Sequence, residues 1–367
     1  MKGWKPEDII KIRWIRGKDN IYDSFYKASM FSPVAIKGAG KSALVEAIGG
    51  FYPKVLDLFG SRDNEGLAWL RTPFGKDALL VKDASVELES DYDVMDAGKI
   101  MLRDIQDHSC LISCAFFHPS FDRECFNLSK IVKVLWRRHS WREPWFVLIR
   151  EASNLLYSRM PIGDTQILTK NQMVYLFREM RHSGLALGID ALRWLAIDIN
   201  IRALSDYTFF KRSGVLGLPK DLRFMYRHVH PVALRKLPVD KFLVLNIDGD
   251  YGLGKSKLPF WHKQEHEDLL TEFKLDPQYK RMPYLGDKGK NVGDFEHARI
   301  VKARFEHKDE KGKQLSMGKI GQAYGRSSKT IYEHLTKHNN QIHVLGYCES
   351  CQSVRGKYAS EVVDTKG

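Results

Sequence analysis

Cysteine is scarce in this chain. Five are spread over 367 residues, at Cys110, Cys114, Cys125, Cys348 and Cys351. So few and so scattered, they exclude a disulfide scaffold. Long apolar runs are missing too: none approaches the roughly 18 residues that a membrane-spanning helix needs. The first ten residues, MKGWKPEDII, have no signal-peptide layout. A soluble cytoplasmic protein with no membrane partner is therefore expected. Acidic residues are also in deficit, 45 against 58 Lys and Arg, leaving a formal net charge of +13. That surplus favours a polyanionic partner, most simply nucleic acid, over a merely solvated basic surface.

What is present is enough for two domains. The length exceeds that of an ordinary single domain, and 43% apolar residues can build a real core. The most informative stretch is Ala35–Ser42, AIKGAGKS. The apolar run Pro33–Ile36 leads into it, and a helical run with Ala43, Leu44, Val45, Ala47 and Ile48 follows. Strand, glycine-rich turn and helix are the setting of a phosphate-binding loop. Backbone N–H groups of Lys37, Gly38, Ala39, Gly40, Lys41, Ser42 and Ala43 would surround phosphates at a helix N-terminus. Lys41 would reach the β- and γ-phosphates of ATP, and Ser42 would hold Mg2+. Where the pattern usually opens on glycine, this chain has Ala35. The bland alternative is a glycine-rich turn ending by chance in Lys-Ser.

The rest of the first 250 residues alternates strand and helix patterns, which argues for an α/β fold with a mostly parallel sheet. KIRWIRGKDN near the start could touch nucleic acid, but reads sooner as amphipathic cover for that sheet. Lys54–Gly60 is a buried strand with Asp57 near its carboxyl end, where ligands gather in such sheets. Ala78–Val81 is a further strand. In Cys110–Phe117 the apolar setting makes both cysteines core residues. Phe121–His139 reads as a helix. Trp145–Ile149, WFVLI, is the most apolar strand and runs into Arg150 and Glu151. A strand of this type sits beside the phosphate loop and carries the carboxylate that faces the γ-phosphate and its attacking water, and Glu151 fits. The preceding residue is usually an aspartate that holds the metal, and here it is Arg150, so Glu151 or Asp57 is left to share that task. Glu151 could instead be a helix N-terminal acid. Thr169–Arg181 reads as a helix, and Leu185–Ile189 as a strand ending at Asp190, placed to sense the γ-phosphate. Lys241–Ile247 is expected to be the last strand.

AIKGAGKS, KVLDLFGS, WFVLIREASNLLYSR, EMRHSGLALGIDALR and DINIRALSDYTFFK, in this order, resemble the FtsK–HerA family of DNA-pumping ATPases, most closely its archaeal and archaeal-virus members. The likeness covers about residues 30–250. It implies a RecA-like P-loop NTPase core, a homo-oligomeric ring, usually a hexamer, and ATP hydrolysis at subunit interfaces. Double-stranded DNA would lie in the channel, and a nuclease or portal-type partner is conceivable. Carried over by residue, Lys41 and Ser42 hold phosphate and metal, Glu151 is the catalytic carboxylate, and Asp190 stands at or near the sensor position. An arginine from the neighbouring subunit would stabilise transition-state charge. Arg202 is the first candidate, with Arg159 and Arg193 behind it. Arg150 and Asp190 depart from the family pattern.

Composition shifts near residue 275. The expected division is an ATPase domain over 1–275, a linker over 276–292 and a winged-helix or helix-turn-helix domain over 293–367. Between 280 and 340 there are 14 Lys and Arg against 7 Asp and Glu. Ser316 would cap a helix over MGKIGQAYG, Gly325 would end it, and Ser327 or Ser328 would cap the next, KTIYEHLTKHN. Ile320, Ala323, Ile331 and Leu335 have the spacing to pack the two together. Ser328, Lys329, Thr330, Tyr332 and Lys337 would face DNA, with Ile342–Leu345 as a wing strand. The alternative is a helical unit that binds protein. Cys348 and Cys351 form CESC, which could bind zinc with His338 and His343, stay as free thiols, or share a site between subunits. The leading expectation is an ATP-driven double-stranded DNA translocase. The other is an ATP-regulated, sequence-specific DNA-binding switch.

Overall fold

The computed structural model describes residues 5–138, 143–157, 164–214, 217–264, 266–279, 292–309, 312–345, 347–348, 351 and 353–354. Its contacts divide the chain into two units, Met1–Lys280 and Arg281–Gly367.

The first unit is built on an eleven-stranded sheet. Its strands in chain order are β1 (Ile10–Arg16), β2 (Met30–Val34), β3 (Val55–Phe59), β4 (Ala78–Lys82), β6 (Asp93–Asp96), β7 (Cys110–Ile112), β8 (Trp145–Ile149), β9 (Leu185–Ile189), β10 (Tyr207–Phe210), β11 (Lys241–Asn246) and β12 (Tyr251–Ser256); β5 (Val86–Glu89) pairs elsewhere, with β13 (Asp276–Tyr279). Across the sheet the order is β1-β12-β11-β10-β2-β9-β8-β3-β7-β4-β6. From β10 to β6 every pairing is parallel, and from β10 to β1 every pairing is antiparallel. The mostly parallel α/β architecture is thus present.

Two local expectations are corrected. Ile10–Arg16 is not cover for the sheet but its edge strand, paired with Tyr251–Ser256. Lys241–Asn246 is not the last strand, because Tyr251–Ser256 turns back against it. Strand β8 does not adjoin β2: β9 lies between them, in parallel register with both. A parallel sheet separates sequence neighbours by crossovers, so adjacency cannot be read from order along the chain.

Strand β8 shows why the centre is stable. All five of its residues are buried. Phe146 and Leu148 join one core, with Leu44, Val45 and Ile48 of helix α1 (Lys41–Gly49). Trp145, Val147 and Ile149 join the other, with Leu128 and Ile131 of α2 (Phe121–Leu135) and Met173 and Phe177 of α3 (Asp164–Arg178). Period-two alternation with apolar residues on both faces is what a strand covered on both sides requires. Each large side chain so buried contributes about 1.5–3 kcal/mol.

The second unit holds α4 (Val292–Glu306), α5 (Met317–Tyr324) and α6 (Ser328–Leu345), then a two-stranded hairpin of β14 (Tyr347–Cys348) and β15 (Ser353–Val354). Ser316 caps α5 through the Lys319 amide, and Gly325 ends it with φ +65°. Ser327 accepts from the Thr330 amide at the start of α6. Ile300, Val301, Ile320, Ile331 and Leu335 form the core. Ala323 is exposed and takes no part in the packing. Ile342–Leu345 is not a wing strand: the helical pattern of buried Ile331, Leu335, His338 and Ile342 continues through it. Residues 276–279, expected to open the linker, instead pair with β5. Most of the remaining linker, 280–291, lies outside the described residues. Among the described residues no helix is long and apolar enough to cross a membrane.

Candidate functional site

At the carboxyl end of β2 the chain turns through Ala35–Gly40 into α1. Ala35 lies in the ladder, its N–H on the Ala191 carbonyl at 3.1 Å, and adopts no left-handed φ, so an alanine fits where glycine is usual. Gly38 and Gly40 have φ +69° and +74°, which L-residues rarely adopt. A Cβ on Gly40 would also stand 2.8 Å from Val239 Cγ1 and 3.4 Å from Lys211 Cε. Lys37 and Gly38 are exposed at the rim and Ala39 is buried beneath it. The first-turn amides of Lys41, Ser42 and Ala43 are those that an α-helix leaves without an internal acceptor.

Strands β8 and β9 bring side chains to this loop. Lys41, 6% exposed, points its Nζ to within 3.6 Å of Glu151 Oε1 at the end of β8. Ser42 Oγ donates to Asp190 Oδ2 at 3.1 Å, at the end of β9. The other oxygen of Asp190 accepts from the Glu151 amide at 2.6 Å. Burial pushes the Asp190 carboxyl up to about 6, against the pull of Lys41. Glu151 itself has φ +45°. A non-glycine residue held there costs on the order of 1–3 kcal/mol, and such strain collects at functional sites. Loop and first-turn amides, a lysine, a hydroxyl beside a carboxylate and a second carboxylate therefore converge at the carboxyl ends of adjacent parallel strands.

Arg150 and Asp57 have a different place from the one expected. Arg150 is 1% exposed and its guanidinium binds both oxygens of Asp57, with a closest approach of 2.7 Å. It also reaches Glu65 at 2.7 Å and Glu46 of α1 at 2.9 Å. Trp69 Nε1 donates to Asp57, and His262 Nδ1 lies 2.7 Å from the second oxygen of Glu46. Burial opposes the charge on Arg150, but Asp57, Glu46 and Glu65 hold it firmly protonated. Asp57 is fully buried within this cluster, so its expected share of the metal is corrected: its oxygens are engaged by Arg150 and Trp69. Behind the cluster, Gly60 lets β3 and β8 close together, since a Cβ there would lie 2.1 Å from the Arg150 carbonyl.

The arginines are scattered. Arg202 ends a short helix, half-buried, with its Nε on the Ile197 carbonyl at 3.1 Å and no ion pair among the described residues. Arg193 is exposed. Arg159 lies outside the described residues. In the second unit Ser328, Lys329, Tyr332 and Lys337 are exposed on α6, and Thr330 is half-buried with its hydroxyl 3.0 Å from Ser327 Oγ.

Sequence reading missed Lys211. It follows β10, bonds through its backbone N–H to the Val34 carbonyl, and is 1% exposed beside Gly40. Burial lowers its amine to about 8, with Asp240 opposing. The signal was a lysine directly after an apolar strand that turned out to be the neighbour of β2. Lys211→Met is expected to raise thermal stability, because it removes a costly buried charge, and, on the reading of Ala35–Ser42 as a phosphate loop, to weaken nucleotide binding there. The amine's folded pKa lies below its unfolded value, so protonation is penalised in the folded state. The stability gain should be largest below about pH 8 and shrink as pH rises towards the ordinary lysine value. Thermal melts across pH, paired with nucleotide titration, check both signs.

No family model matches the chain, and no curated protein matches it. Among solved structures it is similar to the genome packaging NTPase B204 of Sulfolobus turreted icosahedral virus 2 in complex with ATP-gammaS: 13% identity, 63% of this chain and 98% of that one, TM-score 0.36. It is similar also to the cytoplasmic domain of the type VII secretion ATPase EccC of Thermomonospora curvata, with 13% identity over 74% of this chain and 30% of that one, TM-score 0.37. A third likeness is to the N-terminal domain of zonular occludens toxin from Neisseria meningitidis, with 10% identity over 64% and 96%, TM-score 0.29. These likenesses are distant, and the functional reading rests on the site residues.

Proposed function

We propose that this chain is a P-loop ATPase that uses hydrolysis to drive double-stranded DNA. The observation that carries the reading is the convergence of Lys41, Ser42, Glu151 and Asp190 on one phosphate loop. In it, the loop amides and Lys41 bind the β- and γ-phosphates. Ser42 and Asp190 supply adjoining hard oxygen donors, the kind that Mg2+ takes, and stand in for the aspartate that Arg150 replaces. Mg2+ held there would neutralise charge on the phosphate oxygens. Glu151, paired with Lys41 at 3.6 Å, is released as a base when phosphate competes for the lysine, and orients the attacking water. Arg202 and Arg159 remain the candidates for a charge donated by a neighbouring subunit in a ring. DNA is favoured by the +13 net charge and by the exposed Ser328, Lys329, Tyr332 and Lys337 on α6.

The test is the ATPase rate with and without long duplex DNA, with Lys41→Ala as the blank. Stimulation that grows with DNA length is expected, and Lys41→Ala should be inactive in both conditions. Hydrolysis that ignores DNA but still needs Lys41 would favour the second reading, a switch that binds a DNA site through the α5–α6 pair. No hydrolysis in either condition would overturn the ATPase reading.

A further inference from the structure

The second unit gathers four metal-ligating side chains from distant parts of the sequence. His297 lies on α4 and His338 on α6, each 1% exposed. Cys348 lies on β14, fully buried, and Cys351 in the turn that follows is half-buried. One ligand atom from each residue falls within 4.8 Å of the others. Cys348 Sγ is 3.4 Å from His297 Nε2, and Cys351 Sγ is 3.2 Å from His338 Nδ1. A tetrahedral zinc with ordinary Zn–S and Zn–N bonds sets its ligand atoms roughly 3.3–3.8 Å apart. Two of the six separations, 3.4 and 3.2 Å, are thus already close to those of such a site, and the rest stay within 4.8 Å.

We propose that His297, His338, Cys348 and Cys351 bind one structural Zn2+. Two sulfurs with two imidazoles select zinc among the divalent metals. Two cysteines separated by two residues in a tight hairpin are a usual half of such a site. The surroundings have the polar support that zinc ligands need. His297 Nδ1 lies 3.2 Å from His334 Nδ1, so a His297 that ligates through Nε2 carries its proton on Nδ1 and donates it to His334. Gln341 lies 2.9 Å from Cys348 Sγ, and its amide can offer an N–H to a thiolate after a half-turn. His343, expected as a fourth ligand, is exposed and outside the set. Its place is taken by His297, which lies 51 residues before Cys348.

The site has a physical task. The apolar core of this unit is small, with Ile300, Val301, Ala303, Ile320, Ile331 and Leu335 as its buried members among the described residues. Small domains with so little apolar burial commonly depend on a metal. Zinc here would fasten α4, the later turns of α6 and the hairpin at one point. The inference is independent of the ATPase reading.

The experiment uses the full-length chain. Zinc content after gel filtration should be one per chain, and chelation should lower the melting of the second unit while the first keeps its transition. Replacing zinc with Co2+ should give the visible bands of a tetrahedral site together with near-ultraviolet thiolate charge transfer. Cys351→Ser and His297→Ala should each lose zinc on dialysis. His334→Ala should retain it but bind about 10–100-fold more weakly, and His343→Ala should bind as the parent does. If a ligand variant fails to fold, the cobalt spectrum of the unaltered chain decides. No zinc with freely reactive thiols, a Cys348–Cys351 disulfide, a cobalt spectrum without thiolate bands, or undiminished zinc binding by His297→Ala would each overturn the proposal.

Discussion

Glu151→Gln is expected to cut ATP hydrolysis by about 10²–10⁴-fold, the usual worth of a positioned general base, while ATP still binds. Gln keeps the size, the chain length and the backbone amide that donates to Asp190. It removes only the carboxylate that pairs with Lys41. The loss should therefore appear in kcat and leave the nucleotide dissociation constant within a few-fold of the parent. It could even tighten, because Lys41 is no longer held by an internal acid. Single-turnover hydrolysis and equilibrium titration with a fluorescent ATP analogue separate the two quantities. Hydrolysis at the parent rate would remove Glu151 from the mechanism and leave Asp190 as the remaining carboxylate beside the loop. Loss of binding as well would mean that the residue shapes the loop, a role its φ of +45° would then explain.

The second large effect is on stability. Arg150→Met should destabilise the first unit by about 3–5 kcal/mol, the cost of breaking a buried ion pair and leaving its partners uncompensated. A single guanidinium there answers Asp57, Glu46 and Glu65 at once. With it gone, Asp57 and Glu46 keep only Trp69 and His262. A fall in melting temperature of roughly 10 °C follows for a domain of this size. Lysine should not rescue it, since one ammonium cannot reproduce the fork that holds both oxygens of Asp57 and reaches two other carboxylates. Differential scanning calorimetry on Arg150→Met and Arg150→Lys checks this. A shift under 2 °C would show that the cluster is not a strut. An ATPase loss exceeding the loss of folded protein at low temperature would place Arg150 in the chemistry.

These two residues show how the site was partly legible. Glu151 follows the most apolar strand and could be picked out by that fact. Arg150 could be seen as a departure but not explained. Its guanidinium is taken up by three carboxylates that are remote from it in sequence. The partners that make its burial tolerable come from β3, α1 and the segment around Glu65. Asp57 reads as lying near the carboxyl end of a strand where ligands gather, but it is the middle residue of β3, engaged by Arg150 and Trp69.

The sequence by itself determined the local elements: the phosphate loop between β2 and α1, the buried strands β3, β8 and β9, the caps at Ser316 and Ser327, the positive charge. Each rests on interactions a few residues long, such as period-two burial, glycine at a left-handed φ, or a serine accepting from an amide three residues on. Tertiary structure alone decided what crosses the sheet or joins remote segments. It inserted β9 between β2 and β8, and so put Asp190 on Ser42. It set Lys211 beside Gly40, turned Ile10–Arg16 into an edge strand, and brought His297 to Cys348. Those pairings are set by strand order and helix packing, which a parallel sheet with long crossovers leaves free of sequence distance.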